Sequence, residues 1–182
     1  MNVSNFILFQ IAWFVTIISA ANGLPYVGVI YTLLWVFIHL YIIGDKRVFE
    51  FEVLISAAVI GYLLDSFLVY KDVIVFPEPA LFGGPSPMWM VCLWINLAAT
   101  INYSLSWLKG RYLLSALMAC IAGPLAYAAG DRLGAINLSD NSSLIIIGFM
   151  WTCVMPLLIF ISELIYKHQA SKNQILVNGT GN

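Results

Sequence analysis

The sequence predicts an all-α fold, a polytopic bundle of six transmembrane helices with both termini in the cytoplasm. Three observations predict it: the composition, the length of the apolar segments and the placement of the basic residues. Of the 182 residues, 62% are hydrophobic and 9% are charged, whereas soluble domains are roughly half apolar and about a quarter charged. We therefore expect lipid to surround most of the chain.

Six apolar segments approach the roughly 20 residues that a helix needs to cross the hydrocarbon core. Any backbone exposed to lipid must form its own hydrogen bonds, and the sequence lacks the alternating pattern of a barrel strand, so these segments are expected to be helices. They cover residues 5–21, 24–43, 51–70, 88–107, 112–129 and 144–166. Residues 1–168 are expected to form one transmembrane domain, and residues 169–182 a disordered cytoplasmic tail.

The first segment has an alternative interpretation as a cleaved signal peptide. The small residues Ser19, Ala20 and Ala21 follow an apolar run, as they do before a cleavage site. No Lys or Arg precedes that run, however, and secretory signals begin with a basic region. A retained first helix is therefore the favoured prediction.

The basic residues of the connections predict the orientation. Six of them lie on one side of a six-helix chain: Lys46, Arg47, Lys109, Arg111, Lys167 and Lys172. Only Lys71 and Arg132 fall on the other side. Since short cytoplasmic loops carry an excess of Lys and Arg, both termini are expected in the cytoplasm.

Composition also argues against several classes of function. The 8 Lys+Arg residues balance 9 Asp+Glu residues, so nucleic acid is not an expected partner. Cys92, Cys120 and Cys153 lie in separate apolar segments, a pattern that predicts neither disulfides nor a zinc site. His39 and His168 have no neighbouring carboxylate or thiol in sequence, so neither a metal nor a haem cofactor is expected. No motif assigns a catalytic, cofactor-binding or metal-binding residue.

A candidate ligand-binding or structural cluster of polar residues is expected toward the outer face, beneath the proline-rich connection 71–87. Asp65 is its centre, because an ionisable group within a membrane indicates a functional site by default. Arg132 lies at a compatible depth, so a structural ion pair with Asp65 is the alternative. The cluster consists of Asn22, Asp65, Trp89, Asn96 and Arg132.

Two further features of the sequence are compatible either with helix packing or with a functional role. The polar stripe on the fourth segment (Cys92, Asn96, Thr100, Tyr103 and Trp107) would serve helix packing or line a solute path. Pro124 and Pro156 near mid-depth are typical of broken transporter helices and of ordinary kinks.

Three further features are interpreted as structural. His39 is expected to be a hydrogen-bonded bundle residue, and Glu163 to pair with Lys167 one helical turn later. The small residues Ser115, Ala119, Ala122 and Ala126 predict close helix packing.

Several short motifs lie along the chain: Gln10-Ile11-Ala12-Trp13, Ala21-Asn22-Gly23-Leu24-Pro25, Gly61 with Asp65-Ser66, Asn102-Tyr103-Ser104-Leu105 with Trp107-Leu108, and Gly123-Pro124-Leu125-Ala126-Tyr127 with Arg132-Leu133-Gly134. Together they resemble a bacterial family of short integral membrane proteins catalogued as a domain of unknown function. The resemblance covers nearly the whole chain. It implies a Gram-negative inner-membrane protein, and it associates the family with gene neighbourhoods for fatty-acid modification. Tyr103 stands where that family is expected to have His.

Three functional hypotheses follow. The first is a small transporter-like or ligand-binding bundle for a small solute or lipid-related molecule, with an outward-facing polar site. The second is a membrane-embedded enzyme or accessory subunit of fatty-acid or lipid modification. The third is an assembly scaffold, with a membrane-protein partner or a second copy of the chain. In all three the lipid bilayer is the expected environment.

Overall fold

A computed structural model describes residues 2–77, 85–140 and 142–179. Within them the chain forms six α-helical segments: α1 (Asn2–Ala21), α2 (Pro25–Ile43), α3 (Arg47–Tyr70), α4 (Met88–Ile101), α5 (Tyr112–Leu133) and α6 (Ser143–Gly179). Two short strands, β1 (Ile74–Val75) and β2 (Asn137–Leu138), pair antiparallel. The predicted all-α fold class is confirmed.

Four stretches of this chain are long and apolar enough to cross a membrane: Val3–Ala21, Pro25–Tyr70, Tyr112–Leu133 and Ser143–Gln169. The second contains both α2 and α3. The chain reverses within it at Gly44, whose φ of +60° suits glycine, and a 3₁₀ turn leads into α3. His39 Nε2 and Glu50 Oε1 lie 3.4 Å apart, whereas 11 residues of straight helix would separate them by about 16 Å. This stretch is therefore a helical hairpin.

Glycine and proline form the turn between α1 and α2. Gly23 has a left-handed φ of +71°, and Pro25 occupies the first turn of α2. The two helices then pack closely, because a Cβ at Gly28 would lie 2.5 Å from Thr16 Cα. The Gly28 N–H donates to Ser19 Oγ (3.1 Å).

The predicted end of the fourth helix at residue 107 is wrong, since α4 ends at Ile101. Asn102, Ser104 and Ser106 follow, and short polar side chains compete with the helix for backbone partners: Ser106 Oγ donates to Tyr103 O (2.7 Å). With 14 residues, α4 is about 21 Å long. α4 alone is therefore shorter than the hydrocarbon core of a membrane, which is about 30 Å thick.

The sixth helix extends beyond its predicted end at residue 166. It continues to Gly179, and Gln169 Nε2 donates to Glu52 Oε1 on α3 (3.2 Å). Pro124 and Pro156 lie inside α5 and α6 without ending either helix. The disordered cytoplasmic tail expected for residues 169–182 stays a prediction. The cap expected from residues 71–87 also stays a prediction, since residues 78–84 lie outside the described residues.

The buried centre of the bundle is α4. None of its large apolar side chains is exposed, whereas α1, α2, α3, α5 and α6 all expose large apolar side chains on their outward faces. Ala98 and Ala99 of α4 are completely buried. The bundle is thus apolar both inside and outside, as expected for a protein whose solvent is lipid.

Contacts between helix ends define two ends of the bundle. At the first, here called the Glu50 end, Ser104 Oγ donates to Asn5 Oδ1 (2.8 Å), and Tyr166 OH donates to Glu50 Oε2 (3.0 Å). At the second, called the β-pair end, β1 follows α3 and β2 follows α5. The start of α1 and the later part of α6 thus lie at the same end of the bundle.

Candidate functional site

A half-open apolar cleft of about 220 Å³ lies between α1, α4, α5 and α6. One wall carries Phe9, Trp13 and Ile17 of α1, and the opposite wall carries α5. A space of this size far exceeds the roughly 10–15 Å³ that one water molecule needs, and an apolar lining does not hold water. The cleft is therefore suited to an apolar ligand.

The small residues of α5 create this space. Ser115 and Gly130 mark the ends of the α5 wall, about 22 Å apart along the helix. Ala119, Ala122 and Ala126 lie between them and also line the cleft. Ala122 is exposed, so the close packing predicted for this stripe is incomplete. Small side chains along this face of α5 leave space for the cleft.

Two stacked indole rings form the inner wall of the cleft. Trp94 of α4 and Trp151 of α6 lie with ring centroids 4.8 Å apart and planes within 4° of parallel. Gly61 of α3 lies against Trp94, and Gly123 of α5 lies against Trp151, so closely that a Cβ at either glycine would overlap the ring. Glycine at these two positions therefore lets four helices meet around the indole pair.

Asp65 is completely buried beside this pair. Trp94 Nε1 donates to its Oδ2 (2.6 Å), and Tyr127 OH donates to its Oδ1. Trp94 and Tyr127 both line the cleft, so Asp65 lies directly behind the cleft wall. The carboxylate thereby links α3, α4 and α5 through two neutral donors. Trp151 Nε1 is also buried, and it has no hydrogen-bond partner among the described residues.

The ion pair between Asp65 and Arg132 is not formed, so that alternative is wrong. Arg132 is exposed, and in the described part of the chain no Lys or Arg side chain lies within 4.0 Å of a carboxylate. Arg132 follows Tyr127 by five residues, which turns its side chain about 140° away from the direction of Tyr127. Arg132 therefore points away from the helix face that reaches Asp65.

The other predicted site residues lie apart. Asn22 is exposed at the end of α1, where its Nδ2 donates to Ile18 O (2.8 Å). Trp89 is buried at the β-pair end, with Phe76 packed edge-on against it at 5.6 Å. Neither residue is hydrogen-bonded to Asp65.

Asn96 is completely buried on another side of α4. It accepts a hydrogen bond from Trp35 Nε1 (3.2 Å) and donates to Phe9 O (3.0 Å), which ties α4 to α1 and α2. Trp94 precedes it by two residues, a rotation of about 200°. No hydrogen bond or ion pair joins any two of the five predicted residues, so the structure does not bring them together as one site.

A second polar site, which the sequence did not predict, lies at the opposite end of the bundle from the predicted one. The Glu50 cluster consists of Glu50, His39, Asn102, Tyr103 and Tyr166. Glu50 is completely buried. Its Oε2 accepts from Asn102 Nδ2 (2.9 Å) and from Tyr166 OH, and its Oε1 lies 3.4 Å from His39 Nε2.

His39 therefore lies beside a carboxylate, that of Glu50, which is 11 residues away in the sequence. The edge-on ring of Tyr103 lies 4.7 Å from the imidazole. The Tyr103 hydroxyl is buried and has no partner among the described residues. One signal was present in the sequence: His39 and Glu50 lie at nearly equal distances on either side of Gly44, so a tight helical hairpin brings them face to face.

The connection between α4 and α5 closes this end of the bundle. Lys109 Nζ lies 5.0 Å from the centre of the Tyr166 ring. Burial lowers the pKa of Lys109, and the nearby Glu50 carboxylate acts in the opposite direction. Glu163 accepts from Gly110 N (2.9 Å) and Tyr112 OH (2.7 Å). Its predicted pairing with Lys167 is therefore wrong.

The chemistry of both sites uses hydrogen bonds and acid–base groups. Among residues 2–77, 85–140 and 142–179, no group of three His, Cys, Asp or Glu side chains is placed to hold a metal ion. Cys92 is buried, and Cys120 and Cys153 are exposed on the apolar surface, all three as free thiols.

The fold and these sites define a class of protein: an all-helical chain with helices long and apolar enough to cross a membrane and with two carboxylates buried inside its bundle. The chain belongs to the family described as "Protein of unknown function (DUF2878)", whose sequence model matches residues 2–157. The predicted resemblance to a family of unknown function is thereby confirmed. Comparison with curated proteins and with solved structures finds no match. The matched range contains the cleft, Asp65, Glu50 and His39.

Proposed function

We propose that this protein binds an elongated apolar ligand, the acyl chain of a lipid, in the cleft between α1 and α5. The observation that carries the proposal is the shape of the cleft. Its α5 wall is about 22 Å long, and one leaflet of the hydrocarbon core, in which an acyl chain lies, is about 15 Å deep. A half-open apolar cleft of this length accepts such a chain directly from the membrane.

The proposal includes a location in the bacterial inner membrane, which the bundle would cross six times. The hairpin of α2 and α3 supports the count, as does α4, which begins near Trp89 at the β-pair end and is followed by Asn102 at the Glu50 end. The excess of Lys and Arg in the connections at the Glu50 end supports a cytoplasmic location for that end and for both termini. The 14 residues of α4 and the following turn together would complete the short crossing.

In this proposal, fewer of the residues predicted for the outward-facing polar site contribute to ligand binding. Asp65 contributes indirectly, because its carboxylate accepts hydrogen bonds from Tyr127 and Trp94 behind the wall and so holds both rings in place. Asn22 and Arg132, exposed at helix ends, do not line the cleft. The ligand is accordingly mainly apolar.

Filling the cleft tests the proposal. Ala122→Phe places a ring in the cleft, whereas Ile121→Phe on the same helix changes a side chain that is 65% exposed and does not line it. Each protein would be purified in detergent, washed to remove loosely bound lipid and analysed by mass spectrometry for lipid retained per chain. Ala122→Phe should lose most of the retained lipid, and Ile121→Phe should match the unmodified protein.

Two results would reject acyl-chain binding. One is unmodified protein that retains no lipid after washing. The other is equal retention by the Ala122→Phe and Ile121→Phe variants, which would identify the lipid as a general surface layer.

A second candidate function is that of a membrane-embedded enzyme or accessory subunit acting on acyl chains. The Glu50 cluster favours it, because a buried carboxylate beside an imidazole is a general acid–base arrangement. Such groups are costly within a membrane and are usually kept for function. In this candidate Glu50 and His39 would exchange a proton with the reacting group.

Lipid analysis of a deletion strain tests this candidate. The strain would be complemented with the unmodified gene, with Glu50→Gln or with Glu52→Gln, at matched protein levels. Glu52, one turn into the same helix and hydrogen-bonded to Gln169, is the control. An enzyme predicts an altered fatty-acid profile that Glu52→Gln restores and Glu50→Gln does not. An unchanged profile in the deletion strain would reject it.

A further inference from the structure

Gln10 lies on the lipid-facing side of α1 at mid-depth. The helix is about 30 Å long, and Gln10 lies about 12 Å from its first residue. Its neighbours on this face, Phe6, Ile7, Ile11 and Phe14, are each between 43% and 51% exposed. They surround a shallow surface depression that Gln10 also lines. A polar amide therefore lies within an otherwise apolar outer face.

The Gln10 side chain forms no hydrogen bond with any described residue of its own chain, whereas Asn5 and Asn96, the buried amides packed between α1 and α4, are both hydrogen-bonded. An amide without a partner in an apolar medium costs several kcal/mol. Lipid tails at this depth offer neither a donor nor an acceptor. The amide therefore requires a partner from protein.

The residues around Gln10 form a helix-packing seam. Val3, Ile7, Gln10 and Phe14 follow one another at spacings of four, three and four residues. This is the repeat by which two helices pack side by side, and a single polar residue within such a seam sets its register and partner number. The seam lies on a face next to the cleft wall formed by Phe9 and Trp13, so the cleft does not use it.

We propose that α1 packs against α1 of a second copy of this chain along that seam, with the two Gln10 side chains hydrogen-bonded across a two-fold axis. A primary amide carries both a donor and an acceptor, so it is complementary to a copy of itself. A two-fold interface places the same residue on both sides, which meets that requirement. The self-complementary seam identifies the partner as a second copy. This proposal is independent of the ligand in the cleft.

Measurement of the monomer–dimer equilibrium in lipid vesicles tests the proposal. The labelled full-length chain would be diluted over a wide range of protein-to-lipid ratios, and dimers counted by single-molecule photobleaching. Gln10→Leu should weaken dimerisation about tenfold, the effect of losing a hydrogen bond of 1–2 kcal/mol between membrane helices. Ile30→Leu changes a side chain that is 59% exposed on α2, and it should leave the monomer–dimer equilibrium unchanged. Folding should survive, because Gln10 makes no hydrogen bond within its chain.

Cross-linking locates the interface. Cys120 and Cys153 are exposed and would first be replaced by Ala. Ile7→Cys should then cross-link in membranes far more readily than Ile30→Cys. A monomer at every protein-to-lipid ratio, an unchanged equilibrium for Gln10→Leu, or equal cross-linking at the two positions would overturn the proposal.

Discussion

The two buried carboxylates of this bundle are stabilised by hydrogen bonds from neighbouring side chains. Asp65 accepts hydrogen bonds from an indole and a phenol, and Glu50 from an amide and a phenol, with an imidazole at 3.4 Å. Aromatic side chains suit this task because they bury a large apolar body and carry one polar atom at the edge. Neither carboxylate has a Lys or Arg partner in the described part of the chain.

Substitution of Asp65 should be much more damaging than substitution of Arg132. Asp65→Ala leaves the Trp94 N–H and the Tyr127 hydroxyl buried without an acceptor, at about 1–3 kcal/mol each. We expect the free energy of unfolding to fall by about 2–6 kcal/mol. Arg132→Ala, at an exposed position, should change it by less than about 0.5 kcal/mol. Reversible unfolding in detergent measures both, and an equal loss in the two variants would argue for a role of Arg132 absent from this geometry.

At the scale of elements, the position of α4 depends on glycine in its neighbours. Gly61 precedes Asp65 by four residues on α3, and Gly123 precedes Tyr127 by four on α5. Each pair therefore places a flat surface for an indole ring and a polar group on the same helix face. This repeated spacing explains why the stacked rings of Trp94 and Trp151 and the hydrogen bonds of Asp65 occur together.

Adding a single methyl group tests this arrangement. Gly61→Ala and Gly123→Ala would force the indole rings to move, and overpacking of this kind costs about 1–3 kcal/mol. Gly130→Ala is the matched control on α5, where the new Cβ would meet Ile136 Cγ1 at 3.4 Å. There the better helix propensity of Ala should keep stability unchanged or raise it by up to about 1 kcal/mol. Detergent unfolding compares the three variants, and full stability of the Gly61 and Gly123 variants would contradict the close contact.

For the whole molecule, the proposed six crossings predict which connections are reached from outside the cell. The strand pair holds the connection after α3 beside the one after α5 at one end of the bundle. Asp45 and Asp72 are exposed in connections at opposite ends. In a chain without other cysteines, a membrane-impermeant thiol reagent should label Asp72→Cys in intact cells. Asp45→Cys should be labelled only after permeabilisation. Labelling of Asp45→Cys in intact cells would reject the proposed orientation.

Much of the fold was predictable because a membrane helix depends mainly on the hydropathy of residues that are neighbours in the sequence. Apolar length, the Asn22–Gly23 turn and Pro25 placed α1 and α2 within a few residues of their observed bounds. The end of α4 was not predictable in this way, because residues 102–107 alternate polar with apolar side chains, and Asn and Ser occur inside membrane helices as well as at helix ends. Their actual path depends on hydrogen bonds with distant partners, such as Asn102 with Glu50.

The sequence by itself determined that this chain is helical, apolar and a member of its family, since hydropathy, turn residues and short motifs are properties of neighbouring residues. Only the tertiary structure decided the sites. It partnered Asp65 with Trp94 and Tyr127 instead of Arg132, brought His39 to Glu50, and opened a cleft along the small residues of α5. The physical reason is that a buried polar group is satisfied by whichever helix face packs against it. That choice depends on rotation and distance between helices far apart in sequence.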